Sequence, residues 1–157
     1  MSRLDIPILG RTLWATGDLL LSAKLELLLK DRVGGWWQES FLFDSATEMT
    51  TFPAPLAKLF NLPMPNQAAR GIVHNQTGQV IRSGYLRAQV VGMDGTEYAF
   101  PCFFLGDPNA PVSTNPGPMT PRKLLGLSGV INQIRLALDG TPGGPGAMYG
   151  YLTVEKL

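Results

Sequence analysis

Glycine and proline set the first limit on what this chain can become, filling 18 and 13 of its 157 positions. Neither residue sits well inside a long helix, so punctuation this dense favours many short strands joined by turns. No collagen-like period organises them. The length suits one domain of roughly 100–200 residues, enough to bury a core. Hydrophobic residues at 45% against 16% charged exclude a disordered chain.

Charge and cysteine narrow the function classes. With 13 Lys+Arg against 12 Asp+Glu the formal net charge is +1, too balanced for a nucleic-acid partner, which needs a cationic surplus facing phosphates. Cys102 is the one cysteine, so an intramolecular disulfide and a multi-cysteine zinc site are excluded. That usage fits a reducing compartment. Asp5, Arg11 and Asp18 interrupt every apolar run a signal peptide would need. Leu19–Leu29, the best candidate for a membrane span, is broken by Lys24 and Glu26 and falls short of the ~20 residues required. The expectation is a soluble, cytoplasmic chain with no membrane or nucleic-acid partner.

Residues 1–17 read as an N-terminal arm with one short extended piece, and 18–157 as a single domain. In Asp18–Leu29, polar Ser22, Lys24 and Glu26 alternate with Leu21, Ala23, Leu25 and Leu27, the period-2 pattern of a half-buried strand. Helix propensity for Leu, Lys and Glu keeps a helix as the competing reading. A turn at 30–35 leads into a second strand, Trp36–Phe43. Pro53 and Pro55 suit the first turn of a short helix, Ala54–Phe60. Asn75-Gln76-Thr77-Gly78 reads as the polar tip of a hairpin spanning 71–82. Met93-Asp94-Gly95 joins Tyr85–Val91 to Thr96–Leu105 by a second hairpin. After the proline-rich loop 106–121, the spacing 124, 127, 131, 134, 138 fits a helix face, while Ile134, Leu136 and Leu138 alternate equally well as a strand. A loop at 140–147 precedes a terminal strand, Tyr149–Val154. The expected class is all-β, with one or two short helices.

The most informative residue is Asp44, a carboxylate leaving an apolar strand end beside Ser45, whose hydroxyl can fix its geometry. Taken alone, the segment reads as an ordinary strand-end Asx turn. His74 reads as a surface hairpin histidine with substrate contact second. Cys102, within Phe100-Pro101-Cys102-Phe103-Phe104, reads as a buried inert thiol rather than half of a Cys–His pair. No phosphate-binding glycine loop, dinucleotide fingerprint or metal-ligand spacing appears, and no cofactor is implied.

The wider segment FLFDSATEMTTF, Phe41–Phe52, resembles the active-site segment of aspartic proteases: three apolar residues, Asp-Thr/Ser-Gly, a small residue, then an apolar-ended run. PLAKLFNL, a polar-tipped hairpin, a further strand pair, Leu124-Leu125-Gly126 and VINQIRLALD then follow in family order. Over roughly residues 18–140 the chain resembles the retropepsin-like, single-lobe aspartic proteases. That resemblance implies a closed small β-barrel and an Asp44 that is catalytic. It also implies an active-site loop of Ser45, Ala46 and Thr47, with Ser45 holding the two loops of a dimer together. Glu48, Leu125 and Gly126, with the flap residues His74, Asn75, Gln76, Thr77 and Gly78, make up its substrate-binding set. One Asp-Ser segment per chain means that paired carboxylates require a homodimer. The terminal strand 149–154 would then pair with its copy, and the substrate would be a peptide held beneath the flap.

The chain departs from the family in two places. Ala46 stands where the family has Gly, and Leu127 where an Arg usually follows the late Gly, leaving Glu48 to pair with Arg122 or Lys123 or to face solvent. Beside a homodimeric endopeptidase stand two other readings. One is a retropepsin-like dimerisation or peptide-binding module without catalysis; the other is an unrelated all-β binding domain.

Overall fold

A computed structural model of the chain describes residues 2–66, 80–112 and 122–157. Eleven strands and one short helix make the described part all-β. Six strands close into a ring: β4 (Lys24–Lys30), β5 (Trp36–Phe43), β9 (Leu124–Leu125), β6 (Thr50–Pro53), β8 (Tyr98–Leu105) and β7 (Ile81–Val90). Pairing of β7 with β4 shuts it. Alternation sends Leu25, Leu27 and Leu29 of β4 inward with no exposed surface. Against them pack Phe41, Phe52, Phe100 and Phe104, all fully buried. Phe52 lies 5.7 Å from Phe41 and meets Phe104 edge-on at 6.5 Å between ring centroids. Each such side chain contributes about 1.5–3 kcal/mol by leaving water.

Several expected elements stand where the local pattern put them. Strand β5 covers Trp36–Phe43, and β7 and β8 form the hairpin around Met93-Asp94-Gly95, with Gly95 at φ +81°. Helix α1 spans Ala54–Leu59, with Pro53 at its N-cap position and Phe60 closing it.

Other expectations need correction. The run Asp18–Leu29 is not one strand: β3 (Leu19–Ser22) pairs with β2 (Leu9–Thr12) in a separate hairpin, and the chain enters the ring only after buried Ala23. Residues 1–17 carry two strands rather than one short extended piece: β1 (Arg3–Pro7) pairs with β11 (Tyr151–Lys156) and β2 with β3. The helix face drawn from 124 to 138 gives way to β9 and a hydrogen-bonded turn through 127–133, while the alternative strand reading of Ile134, Leu136 and Leu138 holds as β10 (Ile134–Asp139). Neighbouring backbones claim Leu124 and Leu125, and Gly129 at φ +68° departs from helical geometry. The terminal strand begins at Tyr151 and lies between β1 and β10, so its backbone groups are taken on both edges and leave no free edge for a copy.

The expected flap, 71–82, lies outside the described residues except for its last three. No helix among the described residues is long and apolar enough to cross a membrane.

Candidate active site around Asp44

Strand β5 carries Phe41 into the core and delivers Asp44 half-buried at its end. From there residues 44–49 run over β9 to reach β6. Strand β9 lies between the two, parallel to β5 and antiparallel to β6. The backbone fastens this crossing on both sides. Asp44 N donates to Leu125 O at 3.1 Å, Leu127 N to Thr47 O at 3.1 Å, and Ser128 N to Glu48 O at 2.7 Å.

Gly126 is the residue that lets the layers meet. A β-carbon there would stand 2.5 Å from the Met49 carbonyl carbon and 2.8 Å from Glu48 O, closer than real contacts allow. Its own N–H donates to Thr50 Oγ1 at 3.1 Å. Thr51 Oγ1 donates to Arg122 O at 2.7 Å and accepts from Leu124 N at 3.3 Å. Through these bonds the two buried threonines tie β6 to Arg122, β9 and Gly126. The sequence reading missed them, although an adjacent Thr pair opening an apolar strand is the signal that could have found them.

Two donors orient the carboxylate. Ala46 N–H reaches Oδ1 at 3.0 Å and the Thr47 hydroxyl reaches Oδ2 at 2.7 Å. Fixing both oxygens holds the plane of the group relative to β5. Ser45 and Ala46 are exposed beside it. Asn61 is the only non-glycine described residue at positive φ, so the backbone at Ala46 is not in the left-handed region that favours glycine.

Among the residues expected at the site, Asp44, Ser45, Ala46 and Thr47 stand together. Glu48 is exposed and makes no ion pair among the described residues, while Lys123 pairs with Glu39. Leu125 and Gly126 are both buried under the loop, Leu125 completely, and act as its floor. His74, Asn75, Gln76, Thr77 and Gly78 lie outside the described residues. Burial pushes the Cys102 thiol well above its ordinary value, keeping it protonated. Among the described residues no three His, Cys, Asp or Glu side chains gather as metal ligands.

No family model, curated protein or solved structure matches the chain.

Proposed function

We propose that the chain is a retropepsin-like aspartic endopeptidase acting as a homodimer. What carries this reading is the loop 44–49: it crosses β9, is floored by Gly126, and presents a carboxylate with both oxygens oriented. Leu124-Leu125-Gly126, distant in sequence, meets the Asp-Ser-Ala loop as the order of elements in that family requires. In the homodimer each chain would supply half of a cleft around Asp44, which is half-buried in the single chain.

In the dimer Asp44 meets Asp44 of the partner subunit on the two-fold axis. Two carboxylates that close share one proton. The ionised one takes a proton from a water molecule as the water oxygen attacks the peptide carbonyl carbon. The protonated one hydrogen-bonds the developing oxyanion, and proton transfer to the amide nitrogen lets the carbon–nitrogen bond break. No cofactor enters the reaction.

The methyl group of Ala46 favours a second reading, a peptide-binding or dimerisation module without turnover, because at this exposed position beside Asp44 it adds bulk that a glycine would not. Digestion of a peptide library at acidic pH by wild type and Asp44→Asn, with sedimentation of both, decides between them. Cleavage that disappears in a variant still dimeric is the expected result. Cleavage that survives in it overturns the aspartic mechanism. A dimeric wild type that cuts nothing supports the module.

A further inference from the structure

Three cations from three elements converge on one cavity at the other end of β5. Arg32 stands in the turn after β4, Lys58 in the last turn of α1 and Arg82 in β7. With Asn61, Asn66 and Asn109 they line a space of about 320 Å³, and no Asp or Glu lines it. None of the ion pairs among the described residues uses any of the three. All 12 acidic residues lie in the described parts of the chain, so 67–79 and 113–121 have no carboxylate side chain to contribute. Between Glu48 and Asp94 the sequence holds Lys58, Arg70, Arg82 and Arg87 and no acid at all.

The cations are placed as well as unpaired. Arg32 donates through Nε to Leu62 O at 3.4 Å and through Nη2 to Met64 O at 3.2 Å. Arg82 Nη1 donates to Gly106 O at 3.3 Å, and Lys58 Nζ to Asn109 Oδ1. Carbonyl and amide oxygens orient these groups without neutralising them. Like charges gathered around one space repel, and a multiply charged anion entering it relieves that repulsion.

We propose that this cavity binds a small phosphoryl anion of charge −2 or more, of the phosphate-ester or pyrophosphate class. A lone carboxylate would leave most of the positive charge uncompensated. The guanidinium forks of Arg32 and Arg82 match pairs of phosphoryl oxygens, and Lys58 adds a point charge. The amide groups of the three asparagines supply neutral donors around it. Arg32 precedes β5 and Asp44 follows it, with eight strand residues between them, roughly 26 Å of extended chain. The site therefore stands or falls independently of the reading of Asp44.

Calorimetric titration of the full chain with inorganic pyrophosphate, with citrate as the carboxylate control, tests the assignment. Pyrophosphate should bind saturably, more weakly as salt rises, and roughly tenfold more weakly in either Lys58→Gln or Arg82→Gln. Lys58 is exposed and among the described residues hydrogen-bonds only to Asn109, so its replacement should leave the fold intact, with circular dichroism as the check. Arg32→Lys keeps the charge but loses the fork and should also weaken binding. Absence of saturable binding by wild type at millimolar pyrophosphate overturns the site. Affinity unchanged in a folded Lys58→Gln chain does the same, and citrate binding as tightly as pyrophosphate overturns the phosphoryl class.

Discussion

Asp44 and Asp94 are held by nearly the same local chemistry. Asp44 takes the Ala46 N–H at 3.0 Å and the Thr47 hydroxyl at 2.7 Å. Asp94 takes the Thr96 N–H at 3.0 Å and the Thr96 hydroxyl at 2.6 Å. What lies behind each differs. Asp94 closes the β7–β8 hairpin and pairs with Lys156 of β11 at 3.2 Å. Asp44 has no cationic partner among the described residues, and a second strand crosses beneath its loop. Asp31, Asp107 and Asp139 also accept an N–H from two residues on. The turn is therefore common coin in this chain, and only the crossing at β9 distinguishes Asp44.

The largest separation between the two regions should come from replacing the carboxylates. Asp44→Asn should lower cleavage at acidic pH by roughly 10³-fold or more, whereas Asp94→Asn should leave the rate per folded dimer unchanged. Peptide-digestion rates normalised to folded protein measure it, and equal losses in both variants would erase the distinction.

A glycine from each region gives the next contrast. Gly126→Ala drives a β-carbon into the backbone of residues 48–49 and should cost about 3 kcal/mol. Gly95→Ala meets open space and suffers only its positive φ, about 1 kcal/mol. Urea unfolding midpoints compare them directly.

Acid sharpens the contrast from the Asp94 side. Hydrogen bonds from the Thr96 side chain and backbone, then from Lys156, lower the Asp94 carboxyl from 3.8 to about 2. A carboxyl depressed on folding stabilises the native state fully above its unfolded value and loses that contribution as pH falls through the folded one. The stability gap between wild type and Asp94→Asn should therefore be level above pH ~4 and close towards pH ~2. Denaturant titrations across that range follow it. A gap independent of pH would show that the carboxylate's charge contributes nothing there.

The smallest effect is expected at Ala46. Because its φ is ordinary, Ala46→Gly relieves no strain and should change cleavage only a few-fold, upward if the methyl crowds the substrate backbone. A rise of several hundredfold would make that methyl the main obstacle to turnover.

What the sequence made legible was local. The alternation in β4, the proline-started α1 and the Asp-Gly turn between β7 and β8 all rest on neighbours within a few positions. Asp44 stood out because a polar run follows an apolar strand without a glycine or proline. The insertion of two-residue β9 between β5 and β6 was illegible as pairing, since its partners lie some 70 to 80 positions away. Leu127, Ile131 and Ile134 kept helical spacing because the turn at 127–133 carries helix-like hydrogen bonds for one revolution before β10 begins. The cation-lined cavity left a trace only as an acid-free stretch, because Arg32, Lys58 and Arg82 come from separate elements.

The place of β11 between β1 and β10 also has a kinetic consequence. Thr153 donates to Asp5 across 148 positions of sequence, so this sheet joins the two most distant stretches of chain among the described residues. Hairpins such as β7–β8 can close within microseconds, but β1 must wait for the far end of the chain. Until then it is an orphan strand seeking an edge. The β11 of a neighbouring chain offers the same register as its own, so crowding during refolding will divert β1 into exchanged pairs, and yield should fall as concentration rises.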